Sequence, residues 1–140
     1  MKIIKKDIFK NIKSVKQGRE KLFLHKKIYY EPLESYIKNK ESIKNIVYWR
    51  NKNRKFFIDT ASTNIKKTKI WVNSILLDDY KLIFILRALK EVGDPFGMLG
   101  VSNFCLSTSS CYLESINKFS AKGHNNFMYL AIENICSWLF

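Results

Sequence analysis

The apolar residues of the chain follow two different periods, and each period predicts one type of element. Apolar residues that recur every three to four positions predict helices, whereas dense or alternating apolar runs predict strands. The predicted elements are, in chain order, a strand at 27–32, helices at 34–51 and 62–77, strands at 80–89, 96–104 and 111–119, and a helix that begins near 125. This order of strands and helices predicts an α/β fold.

The predicted strand 111–119 leads into the final helix through a polar loop that contains Gly123. The first N–H groups of a helix lack intrahelical partners, so a ligand anion can accept hydrogen bonds from them. Gly123 lets the backbone approach a ligand closely, and Lys122 adds a cation. The loop is therefore a candidate anion site, although the same residues also fit a simple turn. Regular alternation along the strand places Glu114 and Asn117 on opposite faces.

Residues 1–27 differ from the rest in composition. Ile4, Ile8, Ile12 and Val15 recur at roughly helical spacing, with lysines between them. We therefore expect two parts, a basic, helical leader over 1–27 and a main domain over 28–140. A helix that docks on the domain is the simpler interpretation, and a helix lying on a membrane surface is the alternative.

The net charge of +13 is concentrated in the front half of the chain. Residues 1–27 contain 10 basic and 2 acidic residues, residues 28–73 contain 10 and 4, and residues 74–140 contain 5 and 6. A basic front half could attract the phosphates of a nucleotide-linked ligand or of nucleic acid. The abundance of Lys, Ile and Asn, which is typical of AT-rich genomes, explains much of the charge without a function.

Several classes of protein are disfavoured by the composition. The three cysteines match no zinc spacing, so no metal site is predicted, and free thiols fit a reducing cytoplasm. No secretion signal is expected at the basic N-terminus. The longest apolar stretch, near residues 82–86, is too short to cross a bilayer, so no transmembrane segment is expected.

Four segments carry a resemblance to a known family. They are residues 30–33 (YEPL), 49–51 (WRN) with 54–56 (RKF), 93–101 (GDPFGMLGV) and 120–125 (SAKGHN). In order and spacing they resemble the Gcn5-related N-acetyltransferase (GNAT) superfamily, nearest to members that acetylate amino sugars or ribosomal proteins. The resemblance covers roughly residues 28–140.

The resemblance implies a mixed, mainly antiparallel central sheet flanked by helices, and a cytoplasmic N-acetyltransferase that uses acetyl-CoA. Backbone groups of the third central strand would steady the oxyanion, and Glu114 would act as the base. Trp49 and Arg50 would line the pocket for the acceptor amine, which is a small molecule or a peptide. The implied cofactor-binding residues are Ser115, Ile116, Asn117, Lys122, Gly123, His124, Asn125 and Asn126.

The sequence also departs from the family pattern. Ser120 stands where the loop usually has Gln or Arg, and Asn125 stands where it usually has a small residue. The strands that follow the last helix in the family are lacking, so we expect a truncated relative of low or no activity. Glu114 could equally be a surface carboxylate, His124 a helix cap, and Trp49 and Arg50 packing residues.

Three functional hypotheses therefore stand at this point. The first is an acetyl-CoA-dependent N-acetyltransferase or its inactive remnant. The second is a small basic nucleic-acid-binding protein, although its aromatic residues are not interleaved with the lysine runs as base stacking requires. The third is a structural fragment of a longer gene. An exposed edge on the strand 111–119 would also permit a homodimer.

Overall fold

A computed structural model of the chain describes residues 13–16, 22–25, 27–57, 61–88, 95–105, 107–108, 110–119 and 126–139. The strands in these ranges are β1 (Leu22–His25), β2 (Ile28–Pro32), β3 (Lys81–Ala88), β4 (Gly97–Cys105) and β5 (Ser110–Lys118). The helices are α1 (Leu33–Tyr36), α2 (Ser42–Lys52), α3 (Ile65–Leu77) and α4 (Phe127–Leu139), and Arg54–Phe56 forms a 3-10 turn.

The five strands form one sheet in the order β1-β2-β3-β4-β5, and every neighbouring pair is antiparallel. This agrees with the predicted mixed, mainly antiparallel sheet, and every pair among the described strands is antiparallel. Five consecutive residues of β3, from Leu82 to Leu86, are each at most 1% exposed. A strand can bury both alternating sets of side chains only if both faces of the sheet are covered.

Helices cover both faces of the sheet. On one face, Ala131, Ile135 and Leu139 of α4 pack against the sheet, and the Tyr30 hydroxyl donates a 2.9 Å hydrogen bond to the Ala131 carbonyl. Burial raises the pKa of Tyr30 well above its ordinary value. On the other face, a second core joins α1, α2 and α3 to the sheet; its members include Leu33, Tyr36, Ile46, Val72, Ile75, Ile83, Ile85, Met98 and Phe119.

The helix predicted over residues 34–51 is divided in two. The Asn39 side chain accepts a hydrogen bond from the Glu41 N–H at 3.0 Å, and the Ser42 hydroxyl donates to the Asn39 carbonyl at 2.7 Å. Side-chain bonds of this kind stabilise a turn at the expense of the helix. Helix α2 therefore begins only at Ser42, which directs its C-terminal end toward β5.

Part of the predicted leader belongs to the sheet. Residues 22–25 form strand β1 and pair with β2, where the sequence predicted a helix. Residues 13–16 are helical, as predicted, and Val15 is buried in the core beneath α4. The Lys16 amine donates hydrogen bonds to the carbonyl groups of Ile75 and Asp78 at the end of α3, and burial lowers the pKa of Lys16. These contacts attach residues 13–16 to the domain.

We expect Lys16→Met to lower the free energy of unfolding by about 1–2 kcal/mol, because two hydrogen bonds from a charged donor are lost while the packing of the alkyl chain is kept. Urea unfolding followed by tryptophan fluorescence measures the change. Lys13→Met is the matched control, since Lys13 is exposed, and it should change the stability by less than about 0.5 kcal/mol. Equal effects of the two substitutions would show that the Lys16 contacts do not stabilise the fold.

Candidate functional site

A groove separates β5 from the end of α2 and the 3-10 turn that follows it. It consists of two adjoining cavities of about 490 and 410 Å³, which share Phe56, Phe57 and Ile116. Each volume lies within the range of small-molecule sites in proteins. The groove is therefore the candidate functional site.

A bulge in β5 shapes one wall of the groove. Two residues of β5, Ser115 and Ile116, lie opposite the single residue Leu99 of β4. Ser115 has a φ of 53°, in the left-handed region that L-residues seldom adopt. A bulge of this kind bends the strand and leaves the extra residue outside the regular hydrogen-bond ladder. Backbone groups of β5 are thereby available beside the groove.

The bulge also changes which side chains share a face of the sheet. Glu114 lies opposite Gly100 and Asn117 lies opposite Met98. Since Gly100 and Met98 are two residues apart on β4, Glu114 and Asn117 lie on the same face, toward α2 and α3. The predicted opposite placement of these two residues is wrong, because the extra residue between them reverses the alternation. A Cβ on Gly100 would lie 3.1 Å from the Glu114 carbonyl oxygen, so the absence of a side chain there permits the close approach.

In the described part of the chain β5 is an edge strand of the sheet, although the sequence predicted a central one. No described strand pairs with its outer edge. An edge strand presents a row of N–H and C=O groups that lack a partner strand. Residues 113–119 line the groove, so some of these backbone groups can serve a ligand that lies along β5.

Glu114 is held by two neighbours across the sheet. The Ser102 hydroxyl donates a 2.8 Å hydrogen bond to one carboxylate oxygen, and the Lys81 amine lies 3.6 Å from the other. The side chain of Glu114 keeps 28% of its surface exposed, on the wall of the smaller cavity. The carboxylate is therefore oriented by the sheet and still reachable from the groove.

Asn117 is buried without satisfying its amide. It is 4% exposed, and its side-chain nitrogen has no hydrogen-bond partner among the described residues. A buried donor left unpaired costs about 1–3 kcal/mol. Since Asn117 lines the larger cavity, a ligand acceptor in the groove would satisfy this donor.

The structure separates the roles of Trp49 and Arg50. Trp49 stacks on Phe119 with ring centroids 3.7 Å apart and an interplanar angle of 12°, so its ring lies behind the groove wall. Arg50 lines the smaller cavity directly. Its guanidinium carbon lies 5.1 Å from the ring centre of Trp71 and 5.9 Å from that of Phe57. Arg50 thus faces the groove, whereas Trp49 packs behind Phe119, which lines the larger cavity.

The glycine loop falls mostly outside the described residues. The candidate residues Lys122, Gly123, His124 and Asn125 lie there, and their assignment stays a prediction. Asn126 is exposed immediately before α4, and its carbonyl accepts a 3.0 Å hydrogen bond from the Leu130 N–H. The described strand β5 and helix α4 do flank this loop, as the sequence predicted.

Sequence reasoning missed several residues of the groove. Phe56 and Phe57 follow Arg54 and Lys55 in a connection, and Phe56 is 75% exposed. An aromatic pair beside cations in a predicted loop was the available signal, because exposed aromatic residues in loops often serve binding. Ser102 had no such signal, since only its cross-strand position brings it to Glu114.

The cysteine thiols lie outside the groove. Cys105, Cys111 and Cys136 are free and do not line it. Cys111 packs in the core beneath α4, where burial raises its pKa.

The described residues contain no cluster of side chains that could hold a metal ion. Among the same residues, no helix has the length and hydrophobicity needed to cross a membrane.

Solved structures identify the fold. A ribosomal L7/L12 alpha-N-protein acetyltransferase, in complex with coenzyme A, matches 85% of this chain at 12% identity with a TM-score of 0.63. An acetyltransferase of Salmonella typhimurium that modifies the N-terminal serine of L7/L12 matches 83% at 13% identity, with a TM-score of 0.61. A GCN5-related N-acetyltransferase of Brucella melitensis matches 87% at 15% identity, with a TM-score of 0.65. The chain therefore has the fold of GNAT acetyltransferases, which confirms the predicted fold.

The similarity is limited to the fold, and it covers only part of each neighbouring structure. The chain spans 67%, 65% and 55% of the lengths of these three structures. No model of a protein family and no curated protein matches the sequence. The alternative of nucleic-acid binding gains no support from the neighbours, which are acetyltransferases.

We expect Asn117→Leu to raise the free energy of unfolding by about 1 kcal/mol, because it removes an unpaired buried amide and keeps a similar volume. Asn51→Leu is the matched contrast, since the Asn51 side chain both donates to the Thr63 carbonyl and accepts from the Thr63 N–H. It should lower the free energy of unfolding by about 1–3 kcal/mol. Urea unfolding compares the two, and a loss of stability in Asn117→Leu as large as in Asn51→Leu would refute the unpaired state of Asn117.

Proposed function

We propose that the chain binds acetyl-CoA and transfers the acetyl group to an amine held in the groove. The observation that carries this proposal is the bulged edge of β5 beside the groove, in a fold shared with acetyltransferases. One of those neighbours is in complex with coenzyme A. The chain spans only part of the length of each neighbour. We therefore propose, for this chain, the acetyltransferase activity of those complete proteins.

The residues of the groove suit a thioester arm with amide groups. The outer edge of β5 can pair with such an arm as a further strand would. The Asn117 amide can donate to a carbonyl of the arm, which would satisfy the buried donor. Lys122, Gly123, His124, Asn125 and Asn126 would hold the pyrophosphate at the start of α4, where the helix dipole favours an anion. Acetyl-CoA supplies an activated acetyl group to this site.

Glu114 is the proposed general base. A neutral amine attacks the acetyl carbon, and its nitrogen becomes positively charged and must lose a proton as the new C–N bond forms. The C–S bond breaks at the same time, and coenzyme A leaves with the electron pair as its thiolate. Glu114 accepts this proton, and the contacts with Ser102 and Lys81 hold the carboxylate toward the groove. In this proposal the backbone N–H groups at Ser115 and Ile116 stabilise the negative charge that develops on the acetyl oxygen.

The proposed acceptor lies between β5 and the end of α2, where Arg50 and the aromatic residues Phe56 and Phe57 form the opposite wall. It is the N-terminal amine of a protein or the amine of a sugar carried on a nucleotide. Its attack leaves an amide product that can depart along the open groove. The three free thiols support the proposed cytoplasmic location.

Isothermal titration with acetyl-CoA tests the binding step, and a dissociation constant of about 1 mM or lower is expected from the usual range for such substrates. Glu114→Gln should leave this constant within about twofold and lower kcat about 100-fold, because general base catalysis contributes that much or more. The matched control is Glu133→Gln on the exposed face of α4. Absence of heat with acetyl-CoA would refute the proposal, whereas unchanged kcat in Glu114→Gln would refute only the role of Glu114.

A further inference from the structure

The groove presents two opposite charges on the walls of a single cavity. Arg50 of α2 and Glu114 of β5 both line the cavity of about 410 Å³, together with Phe56 and Phe57. Arg50 and Glu114 do not form an ion pair with one another; Glu114 is paired with Lys81 instead. The cavity therefore offers one cationic and one anionic group to whatever enters it.

The Arg50 guanidinium lies among aromatic rings. The rings of Trp71 and Phe57 pack near its guanidinium and favour the cation. In the described part of the chain Arg50 donates no hydrogen bond and contacts no carboxylate. A guanidinium has five N–H donors in a rigid plane, which suit the two oxygens of a carboxylate or a phosphate. An oriented arginine with unused donors in a cavity indicates an anionic ligand group.

The charges of the groove as a whole favour the same conclusion. Lys52 and Lys118 line the adjoining cavity, so three cations and one carboxylate border the groove. Low-dielectric aromatic walls strengthen the field of these cations inside the groove.

The anion at Arg50 is separate from the pyrophosphate of the proposed cofactor. The cavity at Arg50 extends along β5 only from Leu113 to Ile116. The pyrophosphate is proposed to bind beyond the end of β5, in the loop that precedes α4. Arg50 lies away from that loop, across the smaller cavity from Glu114. An anionic group bound at Arg50 would therefore belong to the acceptor rather than to the pyrophosphate.

We infer that the acceptor is an amine that also carries a carboxylate or a phosphate, with its nitrogen at Glu114 and its anionic group at Arg50. This inference rests on the proposed acetyl transfer and names the substrate class of the same site. The anion binds the planar guanidinium, and this contact brings the amine to the carboxylate. A neutral amine of the same size leaves the Arg50 donors unsatisfied and binds more weakly.

Two pairs of ligands test the inference, and each is titrated calorimetrically with and without coenzyme A. The first pair is a short peptide with a free N-terminus and Glu at its second position, and the same peptide with Gln. The second pair is glucosamine 6-phosphate and glucosamine. The anionic member of at least one pair should bind about 10- to 100-fold more tightly, as expected for hydrogen bonds to charged groups. The pair that shows the preference distinguishes a peptide acceptor from a sugar acceptor.

Variants assign the preference to Arg50. Arg50→Gln should abolish it, and Arg50→Lys should keep only part of it, because Lys retains the charge but not the planar fork. Arg54→Gln is the matched control, since it removes the same charge from an exposed residue outside both cavities, and it should preserve the preference.

Three outcomes overturn the inference: equal binding of both members in both pairs, no binding of any of the four, or an equal loss in Arg54→Gln and Arg50→Gln. Failure of the acetyl-transfer proposal is recognised separately, by the absence of heat with acetyl-CoA. The titrations without coenzyme A report on Arg50 in either case.

Discussion

The bulge of β5 is the constraint on which the geometry of the groove depends. By placing Ser115 and Ile116 opposite one residue of β4, it turns Asn117 to the face that carries Glu114. In a regular strand the Asn117 amide would point toward α4, into an apolar core. The same extra residue interrupts the ladder where backbone donors border the groove. One inserted residue thus determines the side chains and the backbone groups that a ligand would meet.

Several backbone and side-chain features at the groove are unfavourable for folding. Ser115 adopts a left-handed conformation. Among the described residues, the buried side-chain nitrogen of Asn117 has no hydrogen-bond partner and the Arg50 guanidinium has only aromatic neighbours. The rest of the domain tolerates them because the buried strand β3 and the two cores on its faces are well packed. Costs of this kind concentrate at sites where a ligand, rather than the protein, supplies the missing partners.

Folding brings charged residues from both halves of the chain to the groove. Arg50 and Lys52 belong to the basic front half, and α2 carries them to the groove beside β5. Glu114 belongs to the acidic back half and lies on the opposite wall. Lys81 of β3 and Ser102 of β4 contact the Glu114 carboxylate across the sheet. Folding therefore converts a gradient of charge along the chain into opposite charges across one cavity.

Local pattern was enough to predict the order of the elements, the buried strand β3 and the amphipathic helix α4, because helix and strand periods are properties of neighbouring residues. It also identified Glu114, Asn117 and Arg50 as candidates from their places in a family-like order. It did not predict strand β1, the edge position of β5 or the groove wall formed by Phe56 and Phe57. Each of these depends on pairing or packing between residues distant in the chain.

The face on which Glu114 and Asn117 lie is another feature that local pattern did not predict. Alternation along β5 assigns them to opposite faces, and the sequence contains no sign of the bulge, since a serine stands where a left-handed residue is required. Register is decided by the fit of β5 against β4, where Gly100 allows the close approach at Glu114. The sequence by itself determined which elements form and which residues could carry the chemistry. Only the tertiary structure decided which of those residues meet, because strand register is settled by contacts between strands rather than within one.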